Sequence, residues 1–218
     1  MRLSQSLRTG IWITALCLCM QGQDTSSKDA PVNEMKGLPP RAAPTDYQAH
    51  AQAGTVTIAA EFTGHSVVTM QGTFSSEDYI VVETALFGPP EARTKIAIED
   101  FSLRLNEKKT LSSQPYGLVF HSLKDPEWEP PVSAESKSKT SIGTGGKGDP
   151  PPAPVHMPIE LQRAMQQKVQ KSALPEGDRA LPQAGLLFFE YRGKPERLHS
   201  LELIYAGPAG KAALTLQP

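Results

Sequence analysis

From Thr55 the chain alternates strictly, with Val56, Ile58, Ala60 and Phe62 on one side and Thr55, Thr57, Ala59 and Glu61 on the other. That period of two predicts a half-buried strand. A second strand is expected over Asp78 to Phe87, where Tyr79-Ile80-Val81-Val82 is apolar on both faces and therefore belongs in the middle of a sheet. Gly88-Pro89-Pro90 ends it, and a third strand begins at Thr94, with Ile96 and Ile98 sharing a face.

After Glu99 the apolar residues change parity, because Phe101, Leu103 and Leu105 sit at odd positions whereas Ile96 and Ile98 sit at even ones. A bulge or bend near Glu99-Asp100 reconciles the two. A further short strand is expected at Tyr116 to Phe120, and three more at Leu186–Tyr191, Ser200–Tyr205 and Lys211–Leu216. Arg192-Gly193-Lys194-Pro195 and Gly207-Pro208-Ala209-Gly210 mark turns between the last three.

One helix stands out, from Pro158 to about Ala173. Proline suits a first helical turn, Glu160 complements the N-terminal dipole, and Lys168 and Lys171 lie toward the C-terminal end. Leu161, Met165, Val169 and Ala173 recur every four residues. So narrow a stripe predicts a helix laid on a sheet or capping one end of it, and the sharper alternative makes Leu161, Met165 and Val169 a partner-binding stripe.

Seven or so short strands with little helix predict an all-β chain, specifically an antiparallel β-sandwich, since period-two faces must be buried against a second sheet. The sandwich is expected over residues 54–218. Two segments interrupt the pattern. Residues 23–53 mix Ser, Lys, Asp, Pro and Ala without a period and predict a disordered arm. The stretch 124–157 holds Trp128-Glu129-Pro130-Pro131, a Ser/Lys run, Gly143-Thr144-Gly145-Gly146-Lys147-Gly148 and Pro150-Pro151-Pro152, and predicts a mobile insert. Trp128 is the single best anchor for a partner, because aromatic groups on proline-rich loops are exposed, docked on a partner or folded back on the body.

The N-terminus has the form of a secretory leader over residues 1–22. Arg2 and Arg8 precede an apolar run from Ile11 to Met20, and the chain turns polar at Gln21. An uncleaved anchor or a buried helix is the alternative. The run is too short for a bilayer core that takes about 20 residues, and no second one follows, so no integral membrane span is expected. The expected location is secreted or periplasmic; lipoprotein anchoring fits less well, because Leu16 precedes Cys17 and Leu18 precedes Cys19. Both cysteines of the chain lie inside the leader, so a mature protein has no thiol for nucleophilic catalysis, metal binding or disulfides.

Charge adds little. The chain has 22 Lys and Arg against 23 Asp and Glu. Without Arg2 and Arg8 the count becomes 20 against 23, a net of −3. Lys137, Lys139 and Lys147 lie in a stretch without aromatic residues, unlike a nucleic-acid footprint. The glycines around Lys147 lack the Ser/Thr, the preceding strand and the following helix of a phosphate-cradling loop.

Catalytic chemistry finds no foothold in the pattern. There is no Gly-x-Ser-x-Gly elbow, and His50, His65, His121, His156 and His199 are scattered. The helix contains no His, which removes the two-histidine zinc motif, and no alternating acidic loop suggests calcium. The acidic pairs Glu77-Asp78 and Glu99-Asp100 would point to opposite faces of a strand. The expectation is a chain with no catalytic, cofactor-binding or metal-binding residues.

Five segments together, Gly54-Thr55-Val56-Thr57-Ile58, Tyr79-Ile80-Val81-Val82-Glu83, Asp100-Phe101-Ser102-Leu103, Gly185-Leu186-Leu187-Phe188-Phe189 and Leu201-Glu202-Leu203-Ile204-Tyr205, resemble in spacing the telokin-like extracytoplasmic domains of bacteria. The resemblance implies an immunoglobulin-like sandwich, often exported, without a general enzymatic activity, and it carries over no site residue. It points to a non-catalytic binding or adaptor protein whose partner is an extracytoplasmic protein or envelope component. The alternatives are an accessory or inhibitor-like domain acting on an exported enzyme and, behind it, a hydrolase.

Overall fold

The computed structural model describes residues 36–128 and 157–218. The expected leader, residues 23–35 of the expected arm, and residues 129–156 of the expected insert lie outside the described residues.

Thirteen strands and two helices are described. In chain order they are β1 (Ala49–Ala53), β2 (Val56–Gly64), β3 (Ser66–Thr69), β4 (Gly72–Ser76), β5 (Tyr79–Phe87), β6 (Arg93–Ile96), β7 (Phe101–Leu105), β8 (Lys109–Gln114), α1 (Tyr116–Val119) and β9 (Leu123–Lys124). After the undescribed stretch follow α2 (Ile159–Ser172), β10 (Gly177–Ala180), β11 (Gln183–Glu190), β12 (Leu201–Gly207) and β13 (Gly210–Leu216).

Eight of the strands form one sheet in the order β1-β2-β5-β11-β8-β7-β12-β13, every neighbour antiparallel. The sheet curls until its ends approach. Gln48 Nε2 donates to the Gln217 carbonyl at 2.9 Å, just outside β1 and β13, so the sheet is nearly closed and barrel-like. The class is mostly antiparallel β, as the alternation predicts. Two small sheets, β3-β4-β9 and β6-β10, attach to the main one.

Inside lies the main core, where Val56, Ile58, Phe101, Leu103, Leu201 and Leu203 meet with Ile80, Val82, Leu187 and Phe189. These are the side chains at every second position of β2, β5, β7, β11 and β12. Burying each such residue stabilises the fold by about 1.5–3 kcal/mol. A second core covers the outer face of β2, β5 and β11: Ala59, Val81, Ala85, Leu186 and Phe188 pack with Val67, Phe74, Val119, the α2 residues Met165 and Val169, and Ala173 just after α2. Strand β5 is thus buried on both faces, which is why Tyr79-Ile80-Val81-Val82 is apolar throughout.

The parity change is also explained. A single 3-10 turn at Ile98–Asp100 separates β6 from β7 and rotates the apolar face. Helix α2 begins at Ile159 with Pro158 at its N-cap, close to the bounds the sequence predicts.

Two expectations are corrected. Tyr116–Phe120 is not a strand but the short helix α1 followed by a 3-10 turn at Phe120–Ser122. Pro115 starts that helical turn, the Leu118 N–H donates to the Pro115 carbonyl at 3.0 Å, and the buried side chain is Val119, while Leu118 is exposed. Likewise the arm does not extend to residue 53, because the chain joins the fold at Leu38, whose N–H donates to the Ala184 carbonyl at 2.8 Å. β1 then pairs with β2 from Ala49↔Ala60 to Ala53↔Val56. Its inward residues, Ala49, Ala51 and Ala53, do alternate with His50 and Gln52 and pack on the main core, but alanine is too weakly hydrophobic for that alternation to stand out in the sequence.

Candidate functional site

The main sheet is weakest between β8 and β11. On one side β8 pairs with β7 over Lys109–Ser112, from Leu105↔Lys109 to Ser102↔Ser112. On the other it meets β11 only at Phe188↔Gln114 and Phe189↔Ser113. β11 meanwhile stays with β5 as far as Glu190↔Tyr79. The two strands therefore part beyond Ser113 and Phe189. Part of the opposite end of β11 is covered by the chain leaving α2, where the Leu174 N–H donates to the Leu186 carbonyl at 3.1 Å.

Where they part, an open groove of about 540 Å3 lies between Lys109, Thr110, Ser112 and Gln114 on one bank and Tyr191 and Arg192 on the other. Successive residues of a strand direct their backbone N–H and C=O groups to alternate sides. Over Lys109–Ser112, one residue in two accordingly faces the groove with a donor and an acceptor that no β11 residue meets. The inward side chains of β8 anchor the bank from behind. Leu111 is in the main core, and the Ser113 hydroxyl donates to the Ile98 carbonyl.

The opposite bank, residues 190–193, is tied down at several points. The Tyr191 N–H donates to the Asp78 carbonyl at 2.8 Å, and Arg192 Nε lies 3.1 Å from the Asp78 carboxylate. His65 stacks on the Tyr191 ring, centroids 6.4 Å apart at 23°, with Nδ1 2.8 Å from the Tyr79 carbonyl and Nε2 3.0 Å from that of Gly193. A neutral imidazole has one N–H and donates to one of these carbonyls at a time; the imidazolium donates to both. Gly193 has no room for a side chain, since a Cβ there would sit 2.4 Å from the Tyr191 ring. The groove is thus a gap between two fixed walls.

The residues singled out from the sequence fall elsewhere. Met165 is 3% exposed and Val169 fully buried in the outer core, whereas Leu161 is half-buried. Trp128 is half-buried at the edge of the described residues, its N–H donating to the Asp125 carbonyl at 3.2 Å. Met165 also borders a hollow of about 310 Å3 between α2 and the α1 region, with Phe120, Leu123 and Met157. Trp128, Leu161 and Val169 do not line that hollow. No sequence signal marks the groove, because Lys-Thr-Leu-Ser-Ser-Gln in β8 is mostly polar and its value lies in pairing it does not make.

Other charged groups are engaged in holding the fold. Arg41 pairs with Glu61 at 2.5 Å and Glu83 at 3.0 Å and lies 4.4 Å over the Tyr47 ring. Burial would lower its pKa, but the hydrogen bonds to Glu61 and Glu83 outweigh that and raise it. The acidic pairs are likewise placed: Glu77 bonds Lys124, Asp78 bonds Arg192, and Glu99-Asp100 lie in the 3-10 turn. Burial, followed by the neighbouring Glu99, pushes the Asp100 carboxyl above the ordinary carboxylate range.

Among the described residues, no three His, Cys, Asp or Glu side chains group as metal ligands, and no helix is long and apolar enough to cross a membrane. No protein-family model, curated protein or solved structure matches this chain.

Proposed function

We propose that this chain acts outside the cytoplasm as a non-catalytic binding module, with the groove between β8 and β11 as its contact surface. The carrying observation is the ladder that stops at Phe189↔Ser113 while both walls beyond it stay fixed. An opening between rigid walls binds without first ordering a loop, and so keeps more of its interaction energy as affinity. Its banks offer one carboxylate, Glu190, beside Arg192 and no histidine, which suits recognition better than acid–base chemistry. The export part of the reading rests on the leader-like N-terminus and on the spacing that resembles the telokin-like domains, which are often exported. Trp128 and Leu161 belong to the same proposal as a secondary contact, since both keep exposed surface.

A photo-crosslinking amino acid at Thr110, compared with one at exposed Lys211 on β13, tests the assignment in the native cell envelope. Adducts from position 110 and none from 211 are expected. Equal adducts at both, or none at 110, would remove the groove as the contact surface.

A further inference from the structure

Resting on that reading and narrowing it, we propose that the groove takes an extended peptide strand, which adds to the free edge of β8 and sets an acidic side chain beside Lys109. The edge left unpaired among the described residues runs from Lys109 to Ser112, about 13 Å at 3.3 Å per residue, and is flanked by a ladder that shows the required geometry at Ser113 and Gln114. An incoming strand would continue that ladder in the place β11 vacates. Strand addition takes affinity from main-chain hydrogen bonds and selectivity from alternate side chains.

The lining argues against the other common peptide modes. A helix needs an apolar trough for its i, i+3, i+4 and i+7 anchors, and a polyproline segment needs an aromatic one. Here Thr110, Ser112 and Gln114 are polar, and Tyr191, the one aromatic on the banks, is stacked on His65.

Charge selects the partner's chemistry. Glu190 and Arg192 face each other at 3.9 Å, and Arg192 also reaches Asp78. Lys109, exposed at the mouth beside Lys108, has no acidic side chain within 4 Å among the described residues. A lysine at a free edge also guards against self-pairing. That role alone predicts no preference between acidic and basic strands, and a second copy of the chain docking edge to edge predicts none either.

The test uses the whole chain, isotope-labelled, titrated with two blocked peptides of equal strand propensity, acetyl-Thr-Val-Glu-Val-Glu-Val-Thr-amide and its counterpart with Lys for Glu. The acidic peptide is expected to bind at least tenfold more tightly, to slow amide exchange at alternate positions within Lys109–Ser112 tenfold or more, and to weaken as salt is raised. Lys109→Glu, an exposed change that leaves the fold intact, should reverse the preference. Equal affinity for the two peptides, slowed exchange elsewhere only, or self-association that protects the same amides without peptide would overturn strand addition by an acidic partner. If both peptides fail while position 110 still cross-links in the envelope, the strand mode falls and the binding module stands; if the acidic peptide binds but position 110 captures nothing there, the reverse holds.

Discussion

The Gln48 side chain donates a hydrogen bond to the Gln217 carbonyl, joining positions 169 residues apart across the seam where the sheet nearly closes. No hydrogen-bonded ladder links β1 to β13, so this seam is held by side chains packed beneath it. Gln48→Ala, which removes an exposed contact, is therefore expected to change stability by less than about 0.5 kcal/mol. Leu216→Ala, which empties a core position, should cost about 2–5 kcal/mol. Denaturant unfolding of the two variants compares them directly, and a larger loss for Gln48→Ala would contradict the packing account.

Thr84 turns its side chain into the main core from the middle of β5, and its hydroxyl has no hydrogen-bond partner among the described residues. A buried hydroxyl without a partner costs about 1–3 kcal/mol. Valine keeps the branched shape and removes the polar atom. Thr84→Val is expected to raise the unfolding free energy by about 1 kcal/mol; a fall on chemical denaturation would mean that the hydroxyl is satisfied after all.

Much of this fold can be read from the hydrophobic pattern, because β2, β7, β12 and β13 show period-two alternation, and β5 and β11 are apolar on both faces. What escapes has a physical reason. β1 alternates as Ala-His-Ala-Gln-Ala, but its inward alanines are too small to stand out; β4 and β8 bury little beyond Phe74, Ser76, Leu111 and Ser113, too few for a pattern. The groove is less legible still. It exists because β8 and β11 part after two paired residues, a matter of where strands run in space and not of which residues compose them.

Asp100 provides a pH test. Its carboxyl pKa is raised in the folded chain, chiefly by burial and then by Glu99, so the folded state holds the proton more tightly than the unfolded one and the ionised form costs stability. The cost is full above the folded pKa and disappears once the pH falls below the unfolded value of about 3.9. Asp100→Asn should therefore raise the melting temperature at pH 7 and lose that advantage near pH 3. An advantage independent of pH would assign the effect to packing.

Gly185 lies opposite Thr84 in the β11–β5 ladder, where the chain leaving α2 crosses it. A Cβ at this position would come within 2.4 Å of the Leu174 backbone, which has no flexible end to swing aside. Gly185→Ala should accordingly cost about 1–3 kcal/mol, the usual range for overpacking. Relief through a shift of the Ala173–Leu174 segment would appear as faster amide exchange at Leu174, whose N–H donates to the Leu186 carbonyl. Unchanged stability and unchanged exchange together would show that the approach is looser than described.

The helix stripe separates two roles that its spacing alone cannot. Met165 and Val169 are packed in the outer core against β5 and β11, whereas Leu161, one turn earlier, is half-buried. Met165→Ala should cost about 2–5 kcal/mol by leaving a cavity. Leu161→Ala, with less apolar surface to lose, should cost well under half of that. If the helix also contacts a partner, Leu161→Ala is the change that lowers partner capture at unchanged stability, since Met165 reaches a partner only by leaving the core. Measuring unfolding and photo-capture on the same two variants decides the matter: equal destabilisation would place Leu161 in the core, and capture lost only in proportion to stability would confine the stripe to packing.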